Sequence, residues 1–343
     1  MEITDKLVRQ IHNTYEQLGI RPFMEQPGVT EIVINEPGVI YYEENSVWKR
    51  QTVEHRNSNE LIEGLGKLLI NNVGQSQKFD EHYPMLSLTM PDGERAQLVR
   101  QPAAEQCSLT VRIPSKTVYS MDEYDRQGLF EQIVPASDEI SAADKDMLRL
   151  LHEKKYREFL TAAIDYRKNI VVSGATGSGK TTFMKTLLSL ISHEERIITI
   201  EDAREIFIDH SNKVHLLYPK NLGTDTTVTA KSCLEACLRM KPDRIILAEV
   251  RGDEAYYFIR ACGNGHSGSI TSCHADSALM AYEQIALMIN ASPEGSGLSH
   301  DVIRRLIFMT IDVSIHFSNI HGKRFITGID FQPERRIRML RHD

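Results

Sequence analysis

No stretch of the chain approaches eighteen consecutive apolar residues, so no helix is expected to cross a bilayer. The amino terminus, Met1-Glu-Ile-Thr-Asp5, lacks the basic-then-apolar layout of a secretory signal. Cysteine is sparse: five in 343 residues, odd in number and scattered, which argues against a disulfide framework and for a reducing compartment. Positive charge is in short supply too. Forty Lys and Arg against 47 Asp and Glu leave a formal net charge of −7, which excludes a general nucleic-acid coat, because such a coat needs a basic field. These absences lead to the expectation of a cytoplasmic protein. At 41% apolar and 25% charged residues the composition is that of an ordinary globular chain, and the length suits two domains, each with a core of its own.

Periodicity divides the chain. Ile3, Leu7, Val8, Ile11, Tyr15 and Leu18 share one face of a helix over residues 2–18. Short strands follow at Thr30–Ile34 and Gly38–Tyr42, joined by the turn signal Asn35-Glu-Pro-Gly38. A helix start is read at Asn57 with Glu60 three residues on, and its stop at Gly74. Further strands are expected at Leu86–Met90, Arg95–Arg100 and Ser108–Ile113. Residues 1–113 thus form a small α+β domain without a phosphate loop. The pattern loosens over 114–157, read as a linker with short helices. From 158 to 343 strands and helices alternate, with strands at Ile170–Ser173, Ile197–Ile200, Lys213–Tyr218, Arg244–Ala248, Ser269–Cys273, Ile311–Phe317 and Arg324–Phe331. That alternation predicts an α/β domain with a largely parallel sheet, whose ligands bind outside the C-terminal strand ends.

One stretch organises the rest. Gly174-Ala175-Thr176-Gly177-Ser178-Gly179-Lys180-Thr181-Thr182 follows an apolar strand and precedes an amphipathic helix, the context in which the G-x-x-x-x-G-K-[ST] pattern acquires meaning. Glycines let successive N–H groups turn inward as a nest for phosphate oxygens, and the helix N-terminus adds its partial positive charge. Lys180 then reaches the β- and γ-phosphates, the Thr181 hydroxyl joins the shell of a Mg²⁺ ion, and Thr182 adds a phosphate contact.

Acids at strand ends are the natural complement. Glu201 and Asp202 close the strand Arg196–Ile200, with Glu205 just beyond; if that strand neighbours the one feeding the loop, these acids stand beside the γ-phosphate and its metal. Glu249 ends a second apolar run, Arg244–Ala248, where the residue that polarises water or coordinates Mg²⁺, directly or through water, is expected; Arg251 either steadies it or is a plain surface bridge. His266 and His274 lie eight residues apart in a glycine-rich segment, but no acid or cysteine at ligand spacing supports zinc. His274 instead suits a hydrogen bond to the γ-phosphate. Cys233 and Cys237, on an apolar helix face, read as core. The basic tail, Arg335, Arg336, Arg338 and Arg341, is a membrane-surface or partner contact or a solvated end.

The glycine loop, the Ile200-Glu-Asp202 box, the run Leu238-Arg-Met-Lys-Pro-Asp-Arg-Ile-Ile-Leu-Ala-Glu-Val-Arg251 and the segment Gly265-His266 to His274-Ala275 together resemble the secretion (traffic) ATPases. The likeness is to the VirB-type ATPase of type IV secretion and conjugation systems. It runs strongly over about 169–281 and more weakly over the N-terminal domain. It implies a RecA-like C-terminal domain, a separate N-terminal domain, and a ring of six with ATP and Mg²⁺ between them. It further implies a peripheral place at the cytoplasmic face of the inner membrane, other secretion-system components as partners (a coupling or partner ATPase among them), and pilus assembly and substrate transfer as the work. Arg95 and Arg112 match the family's phosphate-contacting arginines of the N-terminal domain. Ala248 replaces the family's usual Gly, and Ser267 a common Pro; the four-cysteine zinc module of the type II relatives is absent, which favours the type IV branch. Neighbouring readings are a pilus retraction motor, a DNA-translocating RecA-like motor, disfavoured by the acidic balance, and a non-hydrolysing scaffold. No stable sequence-specific nucleic-acid binding is expected.

Overall fold

The structure, a computed structural model, describes residues 2–53, 59–73, 77–115, 118–133, 139–218 and 227–341. The first third carries α1 (Glu2–Leu18), α2 (Arg21–Glu25), β1 (Val29–Glu36), β2 (Val39–Glu44) and β3 (Val47–Thr52), then α3 (Asn59–Val73), β4 (Met85–Thr89), β5 (Arg95–Val99) and β6 (Ser108–Arg112). The expected start and stop signals of α3, Asn57 and Gly74, lie outside the described residues. The six strands form one antiparallel sheet in the order β3-β2-β1-β6-β5-β4. Alternation decides its two faces. Ile32 and Ile34, Ala96 and Leu98, and Leu109 and Val111 pack under Ile11, Tyr15 and Leu18 of α1 and Ile62, Leu65 and Leu69 of α3. Glu31, Val33 and Asn35 take the intervening places of β1.

Next come α4 (Met121–Arg126), α5 (Ala142–His152), α6 (Tyr156–Asp165), β7 (Ile170–Gly174), α7 (Lys180–Leu188), β8 (Ile197–Glu201), β9 (Lys213–Leu217) and α8 (Ala230–Cys237). The chain continues through β10 (Arg244–Leu247), α9 (Glu254–Gly263), β11 (Ile270–Cys273), α10 (Ala278–Ala291), α11 (His300–Thr310), β12 (Val313–Ile320), β13 (Lys323–Asp330) and α12 (Pro333–Arg341). The second sheet runs β13-β12-β7-β11-β10-β8-β9, all neighbours parallel except the β12–β13 hairpin. The inner strands β7, β8, β10 and β11 are buried on both faces, which is why they are rich in apolar residues, whereas the edge strand β13 is largely exposed. Val171, Ile198, Ile200, Ile245 and Leu247 face α8 to α11. Ile170, Val172, Ile197, Ile246 and Ile315 face α6, α7 and α5, the last through Met147 and Leu150. On packing, α5 is part of this layered body.

The two sheets meet along β9 and β1. Leu217 N–H donates to Ala103 O at 2.9 Å, and Ala103 and Ala104 pack with Val214 and Leu216, so the loop after β5 covers the edge of β9. Alongside, the fully buried Arg196 guanidinium donates to Asn35 Oδ1 (2.9 Å), Asn212 Oδ1 (2.5 Å) and Met240 O (2.9 Å) and lies over the Trp48 ring. Asp243 accepts from both Arg196 N–H and Trp48 Nε1.

Candidate functional site

β7 lies inside the parallel array, and Gly174 ends it where the chain must turn sharply. Gly174 adopts φ +149°, and a side chain there would run into the carbonyl oxygen of Phe317 on β12. The turn closes at Gly179, which caps α7 in the left-handed region at φ +105°. Lys180 opens the helix and is buried; its Nζ folds back to donate to Gly174 O (2.7 Å) and Ala175 O (3.1 Å). Ser178 Oγ is buried without a hydrogen-bond partner among the described residues. Thr181 and Thr182 stand in the first turn of α7, beside the amides that lack intrahelical partners.

Glu249 follows β10, two strand positions from β7, and is half-buried. Its carboxylate is held on one side and approached on the other: Arg251 Nη2 donates to Oε2 at 2.6 Å, and His274 Nε2 lies 2.8 Å from Oε1. Burial raises its pKa, the charges of Asp202 and Glu205 push the same way, and those of His274 and Lys180 oppose them. Lys180 shows the reciprocal pattern, its pKa lowered by burial and supported chiefly by Glu249. The lysine of the loop and the acid of β10 therefore stand in one field at the C-terminal end of the sheet, where an open α/β sheet places its ligands.

The expected neighbour strand is a different one. β8 is separated from β7 by β11 and β10, about 14 Å across three strand spacings. Glu201 at its end is fully buried and committed: Thr199 Oγ1 donates to Oε1 (2.9 Å), as does Arg204 (3.2 Å), while the N–H groups of Glu205 and Ile206 donate to Oε2 (2.8 and 2.7 Å). That corrects the sequence expectation of a metal- or water-handling Glu201: it is the acceptor that ties down the loop after β8. Asp202 reaches the site through Arg251, which bridges it to Glu249 (Nη1 to Oδ2, 2.6 Å), so Arg251 is more than a surface ion pair. Glu205 is exposed and acts on Glu249 through its charge.

The histidines part company because β11 lies between them. His274 follows the strand and joins Glu249; His266 precedes it, with Nδ1 3.3 Å from Pro242 O. Arg95 and Arg112 do not reach the phosphate loop of their own chain either. They sit directly opposite one another on β5 and β6, in a pocket of about 500 Å³ shared with Glu31, Arg239, Lys241 and His266. Lys241 and His266 mark the N-terminal ends of β10 and β11, the opposite end of the sheet from Lys180. Like charges directly opposite on adjacent strands oppose folding, and among the described residues Arg112 has Glu31, 3.7 Å away, as its one acidic partner. Burial pushes the Glu31 carboxyl up to about 7, so near neutrality it is a weak counter-charge.

Elsewhere the cysteine reading is right: Cys107, Cys233, Cys237, Cys262 and Cys273 are free and buried. The basic tail is partly internal. Arg335 pairs with Asp330 (3.3 Å) and stacks on Phe308, and Arg336 pairs with Asp312 (2.5 Å).

A family model described as type II/IV secretion system protein matches residues 16–294. VirB11 of the Brucella suis type IV secretion system is 41% identical over 322 residues, covering 92% of this chain and 88% of that protein. The type IV secretion protein PtlH homolog of Bordetella bronchiseptica is 36% identical over 316 residues, 90% of each chain. The crystal structure of the Brucella suis VirB11 ATPase in complex with sulphate matches with a TM-score of 0.89 at 39% identity, covering 95% of this chain and 99% of that one. A phosphate loop facing a strand-end glutamate, on a two-sheet frame shared with these relatives along nearly the whole chain, makes this protein a member of the type II/IV secretion system protein family, alongside the VirB11 ATPases.

Proposed function

We propose that the chain is an ATP-hydrolysing motor subunit of a type IV secretion machine, working with Mg²⁺ in a homo-oligomeric ring of six. The observation that carries this reading is the shared field of Lys180 and Glu249 at the C-terminal end of the parallel sheet. Lys180 and the amides from Gly177 to Thr182 bind the phosphates; the sulphate held by the Brucella relative is an anion of the same shape and charge class. Among the described residues no three His, Cys, Asp or Glu side chains form a metal cage. That donor set fits Mg²⁺, which keeps most of its waters and takes one or two protein oxygens besides phosphate. Thr181, and Glu249 through water, would hold the ion, which would neutralise charge on the phosphates. Glu249, its basicity raised by burial and acidic neighbours, accepts the proton of the attacking water, while Arg251 holds Oε2 in place and His274 stands beside the free Oε1.

Arg95 and Arg112 complete the site of a neighbouring copy. Exposed, adjacent and nearly without counter-charge, they form an anion-binding pair, yet their own chain keeps its phosphate loop at the far end of the sheet. An arginine supplied in trans is worth about 10³–10⁵ in rate. Among the described residues no helix is long and apolar enough to cross a membrane. In this reading the ring acts at the cytoplasmic face of the inner membrane, beside other secretion components and a partner ATPase.

Phosphate release by the full chain tests the proposal. Lys180→Ala is expected to abolish turnover, and Glu249→Gln to keep ATP binding while losing about 10²–10⁴ in rate. Mixing Lys180→Ala chains with Arg95→Ala/Arg112→Ala chains should restore part of the activity that neither has alone. Turnover unchanged in the first two variants would overturn the motor; no restoration on mixing would overturn the trans arrangement.

A further inference from the structure

β12 runs parallel to β7 with Phe317 level with Gly174, then continues three residues past the point where β7 turns into the phosphate loop. It reverses at His321-Gly322 into β13, so that the hairpin overhangs the loop, with Arg324 paired to Asn319. From there the Arg324 side chain lies across the start of α7. A Cβ placed on Gly179 would be 2.8 Å from Arg324 Cδ and 3.4 Å from its Nε. The absence of a side chain at Gly179 is what lets the arginine stem lie against the amide cradle.

The electrostatics of that position are unfavourable as they stand. A helix N-terminus carries about half a positive charge and attracts anions, not cations. Arg324 is exposed, and among the described residues its guanidinium makes no hydrogen bond or ion pair. Arg204, Arg251, Arg335 and Arg336 are all held by acids or carbonyls. A guanidinium set beside a second positive pole without an acceptor lacks an anion that would satisfy both.

We infer that Arg324 is a phosphate-binding residue supplied by the chain's own carboxy-terminal hairpin, contacting the part of the nucleotide that ATP and ADP share. The inference rests on the phosphate-loop reading of Gly174–Thr182. Strand order assigns the contact. Glu249 and His274 follow β10 and β11, on one side of β7; β12 and Arg324 flank its other side. Arg324 therefore approaches the phosphate chain from the side away from the hydrolytic acid. Binding of that kind is felt equally in ground and transition state, so it sets KM and not kcat.

The test compares wild type, Arg324→Ala and Arg324→Lys as full chains in three measurements: kcat and KM for ATP, Kd for ADP, and Kd for adenosine as the phosphate-free probe. A charge-assisted hydrogen bond to phosphate corresponds to about tenfold or more in affinity. Arg324→Ala should raise KM for ATP and Kd for ADP together by about tenfold, leave kcat within about twofold, and leave adenosine binding unchanged. Arg324→Lys should fall between. Unchanged KM and ADP affinity, or a fall in kcat at constant KM, overturns the inference; so does an equal loss of adenosine binding, which would place the contact on the nucleoside. Lys180→Ala run in parallel separates the two levels. If it abolishes turnover while Arg324→Ala changes nothing, the hairpin contact fails and the loop stands; if it changes nothing, the loop reading itself fails.

Discussion

Replacing Arg196 by Met keeps most of the side chain's volume and removes the cation through which the two sheets are held together. The guanidinium is fully buried, donates to one acceptor on β1, one beside β9 and one carbonyl after α8, and covers the indole of Trp48. Burial pushes its pKa down to about 10, still far above neutrality, so it is a buried cation at any working pH. Removing it leaves the Asn35, Asn212 and Met240 carbonyls short of a charged donor and takes away the buried positive charge that interacts with the Asp243 carboxylate. Breaking a buried charge network in this way costs about 3–5 kcal/mol. Trp48 is the only tryptophan in the chain, so its fluorescence reports on this contact without labelling. In urea titrations of the full chain, Arg196→Met should shift the Trp48 emission to the red and lower the midpoint of its transition by the equivalent of about 3–5 kcal/mol. Asp243→Asn, which keeps shape but loses charge, should do the same to a lesser degree. Emission unchanged and a midpoint within about 1 kcal/mol of wild type would refute the claim that this arginine joins the sheets.

Two further outcomes follow from titrating groups. Thr199 Oγ1 donates to Glu201, which leaves it to accept from the Nδ1–H of His215, 2.7 Å away. Burial pushes the His215 pKa down to about 3, helped by the charges of Arg204 and Lys213. The unfolded chain therefore takes up a proton below pH 6.5 that the folded chain refuses, and stability falls with pH by about 1.4 kcal/mol per unit towards pH 3. His215→Gln should flatten that part of the pH dependence in urea titrations at pH 6.5, 5.5 and 4.5; a slope equal to wild type would contradict it. At the site, the His274 charge lowers the Glu249 pKa that burial raises. His274→Gln should then move the acid limb of the kcat profile to higher pH, since the carboxylate becomes harder to ionise; a limb unmoved or moved to lower pH counts against Glu249 as the base.

The parts of the site that were legible in the sequence are those carried by local pattern. The phosphate loop needs its glycines and lysine within nine residues, and the inner strands of the second sheet announce themselves because burial on both faces makes them rich in isoleucine, valine and leucine. Glu249 and His274 stand out as candidates because each closes such a strand. Adjacency is another matter. Nothing within residues 196–201 says that β10 and β11 intervene between β8 and β7, and so Glu201 was expected at the metal when it is in fact tied to its own loop. β3 escaped notice for the converse reason: as an exposed edge strand, Val-Trp-Lys-Arg-Gln-Thr shows no apolar alternation. Arg324 offered no local sign at all. It matters because β12 happens to pair with β7 and because Gly179 leaves room, and both facts join residues more than a hundred positions apart.

Strand order also bears on how the arginines of the first domain can act. Arg95 and Arg112 lie by the N-terminal ends of β10 and β11, and a strand of five residues spans about 17 Å before the phosphate loop begins. To serve its own loop, the first domain would have to strip Asn35 and Trp48 from Arg196 and Asp243, uncover the β9 edge now paired at Ala103, and travel the height of the sheet. The Arg196 network alone opposes that by about 3–5 kcal/mol, and the apolar contacts of Val99, Ala103 and Ala104 add to it. Presenting the same two guanidinium groups to an adjacent copy breaks none of these contacts. The docking that holds the two sheets together is thus the physical reason the arginine pair is better placed to serve a neighbour than itself, and under the proposed function it would make hydrolysis a property of the ring.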